Sequence, residues 1–425
     1  MLRRPALVSL ASLLICACNT PDAALGVDGP SEKDPTVKAT KFTTMTRVDL
    51  GTLGGASSYA SDINSANTVV GWSETTAGST HAFRWSADAG MVDLGSLPGD
   101  AMSQAISILD GGTQNGGVIL GVSGDFSHWT PVVWSASGSI SALPIPLLGN
   151  STNTFPTGFN SQGDVVGSDF GGGGPQHAWI WSAADGKRDL SEITDPGTSE
   201  GFANGISASG LAILTNHSGS CTQNPQCWRT YLWGRGNGYQ SLGTPVVDAE
   251  ASVMGLAVNE AGTVVGWIGQ GITPATAGTI PYRWSPSNGF TLLENYSSDN
   301  AHGVVLAVNS NGTAVGSDFD PASGTDVASI WLRQGTITRL SSDDPATAVA
   351  INDRGTIAGW AAVSSGVNHA SIWDPSAPAA PFVVQTSPSA TAFVSTASSA
   401  CLADIRSIKS RQALFACVIK ADHKR

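Results

Sequence analysis

The stretch that decides the fold is Asn67-Thr68-Val69-Val70-Gly71-Trp72 followed by His81-Ala82-Phe83-Arg84-Trp85. The same pattern returns further along as Gly163-Asp164-Val165-Val166-Gly167 with His177-Ala178-Trp179-Ile180-Trp181, and once more from Gly355 to Gly359. Apolar residues at every second position are typical of strands, and asparagine or glycine before an apolar run is typical of tight turns. Each copy therefore predicts several short antiparallel strands joined by turns.

One tryptophan in each copy marks the length of the repeat. The chain carries them at Trp85, Trp134, Trp181, Trp233, Trp284, Trp331 and Trp373, with spacings of 49, 47, 52, 51, 47 and 42 residues. A repeat of roughly 40 to 50 residues is the length of a four-stranded propeller blade. The sequence therefore predicts an all-β fold, a seven-bladed β-propeller.

The start of the repeat region predicts how the ring closes. Val48-Asp49-Leu50-Gly51 matches the fourth-strand segment Val92-Asp93-Leu94-Gly95, whereas the last copy continues into Pro375, Pro378 and Pro381. Proline has no N–H to donate to a strand ladder and does not suit a strand at that place. We therefore expect the N-terminal strand to complete the seventh blade and to remove an exposed sheet edge. The alternative is an eighth blade formed by the C-terminal segment.

Composition limits the class of protein. The 425 residues include 50 glycines, and only 13% are charged, which disfavours a mostly helical fold because helices need charged, solvated faces. With 33 acidic against 21 basic residues, the net charge is −12, which argues against a nucleic-acid partner. Neither a cofactor nor a metal is predicted, since the chain has no phosphate-loop motif and no His-Glu-x-x-His motif.

The N-terminus has the pattern of an export signal. Arg3 and Arg4 precede an apolar run from Pro5 to Ala17, which is too short to cross a bilayer core of about 30 Å. The run ends in Leu14-Ile15-Cys16-Ala17-Cys18, which resembles the lipobox of bacterial lipoproteins. That resemblance implies cleavage before Cys18 and lipid on its sulfur. An ordinary secretory signal is the alternative.

The resulting organisation has four parts. Residues 1–17 form the signal peptide, 18–42 a flexible tether, 43–384 the propeller and 385–425 a C-terminal extension. In an exported chain the remaining cysteines predict two local disulfides, Cys221 with Cys227 and Cys401 with Cys417. The predicted location is the cell envelope, with the lipid in the outer membrane and the domain on its periplasmic or exterior face, or secretion. The membrane is contacted through the lipid alone, and the protein is predicted to be a monomer.

The repeat resembles a known family, the HAF-type extracellular repeat proteins of bacteria. The residues that carry the resemblance are Ile63-Asn64, Val69-Val70-Gly71, His81 to Trp85 and Met91-Val92-Asp93-Leu94-Gly95-Ser96-Leu97. The likeness covers about residues 44 to 375. It implies export and a repeat architecture, and it implies no particular enzymatic activity.

Candidate binding residues are expected in the loops between second and third strands, which vary in length and lie on one face of the ring. Trp129 and Trp228 fall outside the tryptophan pattern and are expected there as exposed aromatics, the kind of residue enriched at recognition sites. Acidic residues are expected in the same loops, on a solvated surface: Asp125, Asp169, Asp318 and Asp320. The repeated histidines His81, His177 and His369 fall in strands and are assigned structural roles.

Three functions remain open from the sequence. The first is a non-enzymatic, surface-tethered module that binds a protein or glycan partner through its long loops. The second is a propeller hydrolase or lyase that acts on an extracellular polymer, and no catalytic residue is predicted for it. The third is a structural envelope protein without a discrete ligand.

Overall fold

The computed structural model describes residues 45–110, 117–125, 128–191, 200–218, 227–244, 250–269, 278–296, 302–340, 345–364 and 366–375. Over these ranges the chain forms strands and turns, and no helix there is long and apolar enough to cross a membrane. The signal peptide, the tether and the C-terminal extension lie outside the described residues, so these boundaries stay predictions.

The strands form seven antiparallel sheets of four strands each, one sheet for each repeat. Blade 1 contains β2 (Gly54–Ile63), β3 (Val69–Thr75), β4 (Thr80–Ser86) and β5 (Gly90–Asp93); blade 2 contains β6 (Met102–Ile108), β7 (Ile119–Gly124), β8 (Trp129–Trp134) and β9 (Ile140–Ala142); blade 3 contains β10 (Asn153–Phe159), β11 (Val165–Phe170), β12 (His177–Ser182) and β13 (Gly186–Asp189). Blade 4 contains β14 (Gly201–Ile206), β15 (Ala212–His217), β16 (Trp228–Gly234) and β17 (Gly238–Ser241); blade 5 contains β18 (Val253–Val258), β19 (Val264–Gly269), β20 (Thr279–Ser285) and β21 (Gly289–Leu292). Blade 6 contains β22 (Val304–Val308), β23 (Ala314–Asp320), β24 (Thr325–Trp331) and β25 (Ile337–Arg339); blade 7 contains β26 (Ala346–Ile351), β27 (Ile357–Ser364), β28 (Val367–Asp374) and β1 (Thr46–Asp49).

The blades are arranged in a closed ring. The first strand of each blade contacts the first strands of both neighbouring blades, and the contact between β26 and β2 completes the circle. An eighth blade would have to separate β26 from β2. The predicted seven-bladed β-propeller is therefore confirmed, and the eight-bladed alternative is wrong.

The N-terminal strand closes the ring as the sequence predicts. Strand β1 pairs antiparallel with β28, with Val48 opposite Ile372. The amide of Leu50 continues the ladder by donating to the carbonyl of Ala370 at 2.9 Å. The fourth strand of the last blade thus comes from the beginning of the repeat region.

Each first strand carries a β-bulge at the same position, and in six of the seven blades the glycine of the Val-Val-Gly motif lies opposite it. In blade 1 the register shifts between Ala60 and Asp62, and Gly71 lies opposite Ala60. A Cβ on Gly71 would lie 2.0 Å from the carbonyl oxygen of Tyr59, so no other residue fits without backbone movement. The same close approach occurs in five further blades, at Gly121, Gly167, Gly266, Gly316 and Gly359. Blade 4 has Leu214 at this place.

The repeated histidines fasten the third strand of a blade to the fourth. In each case the histidine Nδ1 lies 2.9 Å from an aspartate carboxylate, in the pairs His81–Asp93, His177–Asp189 and His369–Asp49. The first two pairs join strands of one continuous hairpin. The third joins β28 to β1 across the closure of the ring.

The matched pairs His81–Asp93 and His369–Asp49 predict a difference between closure and hairpin. Both aspartates also accept an amide, from Gly95 and Gly51 respectively. Strand β5 stays covalently joined to β4 by a turn, whereas β1 has no such connection to β28. We expect Asp49→Ala to lower the free energy of unfolding by about 1 kcal/mol more than Asp93→Ala, measured by denaturant titration. Equal losses would show that the closing strand needs no side-chain fastening.

The pH dependence of the Asp49 contribution follows from its contacts. Burial raises the pKa of Asp49, but the hydrogen bonds from His369 and from the Gly51 amide outweigh burial and hold the pKa below its ordinary value. The stabilisation is therefore present above the ordinary carboxyl pKa and is lost as the pH falls through the lowered one. The difference in stability between the native protein and Asp49→Ala should shrink below about pH 4.

Candidate functional site

The two faces of the ring differ in the length of their connections, with one exception, the connection 109–118 between the first and second strands of blade 2. On the tight-turn face lie the turns between first and second strands and between third and fourth strands. On the long-loop face lie the connections between second and third strands and those between blades. The longest connections between second and third strands are 218–227 and 270–278. The longest connections between blades are 190–200, 242–252 and 293–303. The longest connections therefore belong to neighbouring blades, from blade 3 to blade 6.

On the tight-turn face, an asparagine ladder joins four consecutive blades, blades 5, 6, 7 and 1. The side-chain amide of Asn259 donates to the carbonyl of Asn309 at 2.9 Å, that of Asn309 to Asn352 at 3.2 Å, and that of Asn352 to Asn64 at 2.9 Å. Each asparagine Oδ1 meanwhile accepts amides of its own turn, as Asn259 does from Thr263 at 2.9 Å. The Asn-x-x-Gly motif thus shapes a turn and also joins neighbouring blades, and its last bond crosses the ring closure.

Asp169 lies inside blade 3, in strand β11. Its carboxylate accepts hydrogen bonds from Lys187 Nζ at 2.6 and 2.7 Å and from the Leu148 amide at 2.6 Å. Both charged side chains are buried, and Lys187 Nζ also lies 4.6 Å from the centre of the Trp179 ring. Burial lowers the pKa of Lys187, and its hydrogen bond to Asp169 opposes that change. The expectation of a solvated loop position is wrong for Asp169, because its carboxylate anchors a loop and a lysine.

Asp318 occupies the same position in blade 6, where Gly316-Ser317-Asp318-Phe319 repeats Gly167-Ser168-Asp169-Phe170. Its carboxylate accepts the amides of Tyr296 at 2.7 Å and Phe319 at 3.0 Å, and the residue is fully buried. Burial raises the pKa of Asp318 to about 6. Its expected solvated loop position is therefore also wrong.

The position shared by Asp169 and Asp318 has the same task in four blades. In blade 1 the hydroxyl of Ser73 accepts the Leu53 amide at 2.9 Å, and in blade 2 that of Ser123 accepts the Leu97 amide at 2.9 Å. In each of these four blades the side chain two residues after the strand glycine holds the loop that enters the blade. Two serines and two aspartates therefore accept the same backbone hydrogen bond, one from the loop that enters each blade. Both carboxylates thus have a structural role as hydrogen-bond acceptors.

The other two acidic candidates cap turns on the long-loop face. Asp320 is buried, forms an ion pair with Arg339, and accepts the amides of Ala322 at 3.0 Å and Ser323 at 2.9 Å. The solvated position expected for it is wrong because these groups enclose the carboxylate. Asp125 is exposed and accepts the His128 amide at 2.9 Å. Of the four predicted aspartates, Asp125 alone faces solvent.

Trp129 and Trp228 begin third strands, β8 and β16, and are buried. The expectation that they stand exposed in loops is wrong, because both side chains join an apolar cluster to which all seven blades contribute. Trp228 packs on Phe202, with ring centres 5.3 Å apart, and on His217 at 5.5 Å. The loops before the two tryptophans differ in length, since one is 125–128 and the other 218–227. The spacing in the sequence therefore does not reveal that both tryptophans occupy the same position in the repeat.

Of the predicted cysteine sites, the structure describes only Cys227. Cys227 is buried just before β16. Its expected partner Cys221, the second pair Cys401 and Cys417, and the lipid acceptor Cys18 lie outside the described residues, so both disulfide pairings and the lipidation stay predictions. Among the described residues, no group of three or more His, Cys, Asp or Glu side chains is placed to hold a metal ion.

Comparison with known proteins gives the fold. The chain matches no family model and no curated protein, so the resemblance to HAF-type repeat proteins stays a prediction. Among solved structures, a prolyl endopeptidase aligns with a TM-score of 0.51 at 10% identity, over 76% of this chain and 48% of that chain. The β-propeller domain of the Trilobed protease from Pyrococcus furiosus aligns with a TM-score of 0.48 at 11% identity, over 75% and 95% of the two chains. A streptogramin B lyase aligns at 0.47 and 11% identity, over 77% and 97%.

At 10% identity, the likeness to the prolyl endopeptidase is a likeness of fold alone. The chain spans about half the length of the prolyl endopeptidase chain that it matches.

The buried Lys187–Asp169 pair predicts a strong effect of breaking it. Lys187→Met leaves a carboxylate buried without its cation, and we expect a loss of about 3 to 5 kcal/mol in the free energy of unfolding. Adding Asp169→Asn removes the uncompensated charge, so the double variant should recover a large part of the loss, measured by denaturant titration. A double variant no more stable than Lys187→Met would contradict this account.

Proposed function

We propose that this protein is an exported, lipid-anchored β-propeller that binds a protein or glycan partner through its long-loop face and does not act as an enzyme. The observation that carries the proposal is the difference between the two faces. Polar side chains of the tight-turn face bond neighbouring blades to one another, as in the asparagine ladder. The connections of the opposite face vary in length from blade to blade, as recognition loops do on a rigid scaffold.

The positions of the candidate residues refine where a partner would bind. Five of the candidate residues are buried within the blades: Trp129, Trp228, Asp169, Asp318 and Asp320. They act on a partner only by positioning the loops of the long-loop face. Direct contact falls to exposed residues at the tips of the connections, such as Asp125 and the turn 76–79. We therefore propose that recognition occurs at the rim of the long-loop face, outside the apolar interior of the ring.

Matched alanine-to-arginine variants on the two faces test the proposal. Ala77 and Ala322 are exposed in turns of the long-loop face, whereas Ala87 and Ala184 are exposed in turns of the tight-turn face. Partners captured from a cell-envelope extract by the native protein are identified, and the affinity of each variant for them is measured. We expect Ala77→Arg or Ala322→Arg to weaken binding by tenfold or more, because a buried, unpaired charge at an interface costs more than 1.4 kcal/mol. Ala87→Arg and Ala184→Arg should bind as the native protein does.

Three results would contradict the proposal. Equal loss on both faces would show that the loops do not select the partner. Absence of any saturable partner would favour a structural envelope protein. Turnover in a panel of glycan, peptide and ester substrates would show that the protein is an enzyme.

The anchor predicts its own pair of variants. Cys18 is the proposed lipid acceptor, whereas Cys16 stands where a lipobox usually has alanine, serine or threonine. We expect Cys18→Ser to abolish incorporation of labelled palmitate and to move the protein out of the membrane fraction. Cys16→Ser should remain lipidated. Unchanged labelling of Cys18→Ser would rule out this anchor.

A further inference from the structure

Blade 6 contains a buried carboxylate that its own sheet does not neutralise. Asp318 is fully buried, and its two oxygens accept the amides of Tyr296 and Phe319. Tyr296 belongs to the connection that enters blade 6 on the long-loop face. The Asp318 carboxylate therefore fastens Tyr296 to strand β23. The preceding residues are held by other groups: the Leu293 amide donates to the carbonyl of Pro281 at 2.9 Å, and the carbonyl of Glu294 accepts Trp331 Nε1 at 2.7 Å.

Blade 3 shows what is missing in blade 6. There the equivalent Asp169 fastens Leu148 in the same way, and Lys187 opposite Trp181 supplies the cation. In blade 6 the residue opposite Trp331 is Ile337. Two loops of the same molecule are thus held by the same carboxylate geometry, one with a buried lysine and one with an aliphatic side chain in its place.

Within the described residues, the charged and titratable groups around Asp318 do not supply the missing cation. Asp320 on β23 and Asp326 on β24 are acidic and disfavour ionisation of Asp318. Arg339 on β25 forms its ion pair with Asp320, and its guanidinium lies 5.0 Å from the Tyr296 ring. The phenol of Tyr296 stays neutral, because burial raises its pKa to about 12. His302, at the end of the same connection, packs its ring on Phe319 at 5.6 Å.

We propose that Asp318 is a proton-operated latch on the long-loop face, which holds the connection at Tyr296 closed when protonated and loosens it there when ionised. In the closed state the Asp318 carboxyl group is buried away from water. Desolvation costs less free energy for a neutral carboxyl group than for a carboxylate. Opening the connection lets water reach Asp318, and water stabilises the ionised form.

The direction of the pH effect follows from the two protonation equilibria. With the connection closed, burial raises the pKa of Asp318 to about 6, and with the connection open the pKa returns towards its ordinary value of 3.8. The closed state thus binds the proton more tightly, so closure is favoured as the pH falls through 6 and weakened as the pH rises through it. Each unit of difference between the two pKa values changes the opening equilibrium by about tenfold.

Hydrogen exchange measured by mass spectrometry on the full-length protein tests the latch. Protection factors, corrected for the intrinsic pH dependence of exchange, are compared at pH 5 and pH 7.5 for the peptide that contains Leu293 to Tyr296. We expect about tenfold greater protection at pH 5. The peptide that contains Leu148 is an internal control in the same sample and should change little, because Lys187 neutralises Asp169.

Two variants assign the effect to Asp318. Asp318→Asn is neutral at every pH, and Ile337→Lys introduces the lysine that blade 3 has, so each should abolish the pH dependence at Leu293 to Tyr296. Should one variant fail to fold, the other together with the comparison of the two peptides in the native protein still decides the question.

The proposal is overturned by equal protection at the two pH values in the native protein. It is also overturned if the pH dependence persists in Asp318→Asn, which would assign the titration to His302 or Asp326. A change of the same size in the Leu148 peptide would likewise contradict it, because it would show a general effect of pH on the long-loop face.

Discussion

Closure of the ring is the constraint on which the rest of the structure depends. Six of the seven blade interfaces join blades that are consecutive in the sequence. The interface between blades 7 and 1 joins the beginning of the repeat region to its end. That interface uses the same kinds of contact as the others. Ser58 accepts the amide of Ala370 at 2.9 Å there, as Ser103 accepts that of Ala82 at 2.9 Å between blades 1 and 2. What is special to the closure is strand β1, which supplies the outer edge of blade 7 from the other end of the repeat region.

A closed ring turns small repeated features into a common framework. The bulge recurs in all seven first strands, the glycine opposite it recurs in six blades, and the asparagine ladder joins blades 5, 6, 7 and 1. These repeated features orient the blades alike, so each blade presents its long connections to the same face. In four blades the connection that enters the blade is bonded to a side chain two residues after the glycine, which is Ser73, Ser123, Asp169 or Asp318. The loops of the long-loop face can therefore vary without disturbing the sheets beneath them.

The fold could be predicted from the sequence because the strongest signals in the sequence are local. The spacing of the tryptophans, the turn glycines and the match between Val48-Asp49-Leu50-Gly51 and a fourth strand were enough to predict seven blades and their closure. Asn67 takes a positive φ of 60° where the other copies have glycine, as its turn position requires. The bulges and the bonds from asparagine to the next blade were not predicted, because they depend on how strands align across a sheet and between sheets.

The candidate site was much less predictable, for a physical reason. Whether a carboxylate near the end of a strand faces water or the interior depends on cross-strand register and on residues distant in sequence. Asp169 and Asp318 stand in nearly identical motifs, yet Lys187 lies beside one and Ile337 takes the corresponding place beside the other. Trp129 and Trp228 were misplaced for a related cause, since loops of different length precede them. Asp125, which is local to its own turn, was placed correctly at the surface.

Ring closure by β1 is tested most directly by a cross-link between the paired residues Val48 and Ile372. With cysteine at both positions, mild oxidation followed by peptide mass spectrometry should yield an intramolecular disulfide between the two peptides, in a monomer that stays folded. A cysteine pair at Val48 and Ile330, the corresponding position of blade 6, should give none. Failure of the first pair to cross-link, or its cross-linking only between molecules, would contradict a ring closed by its own N-terminal strand.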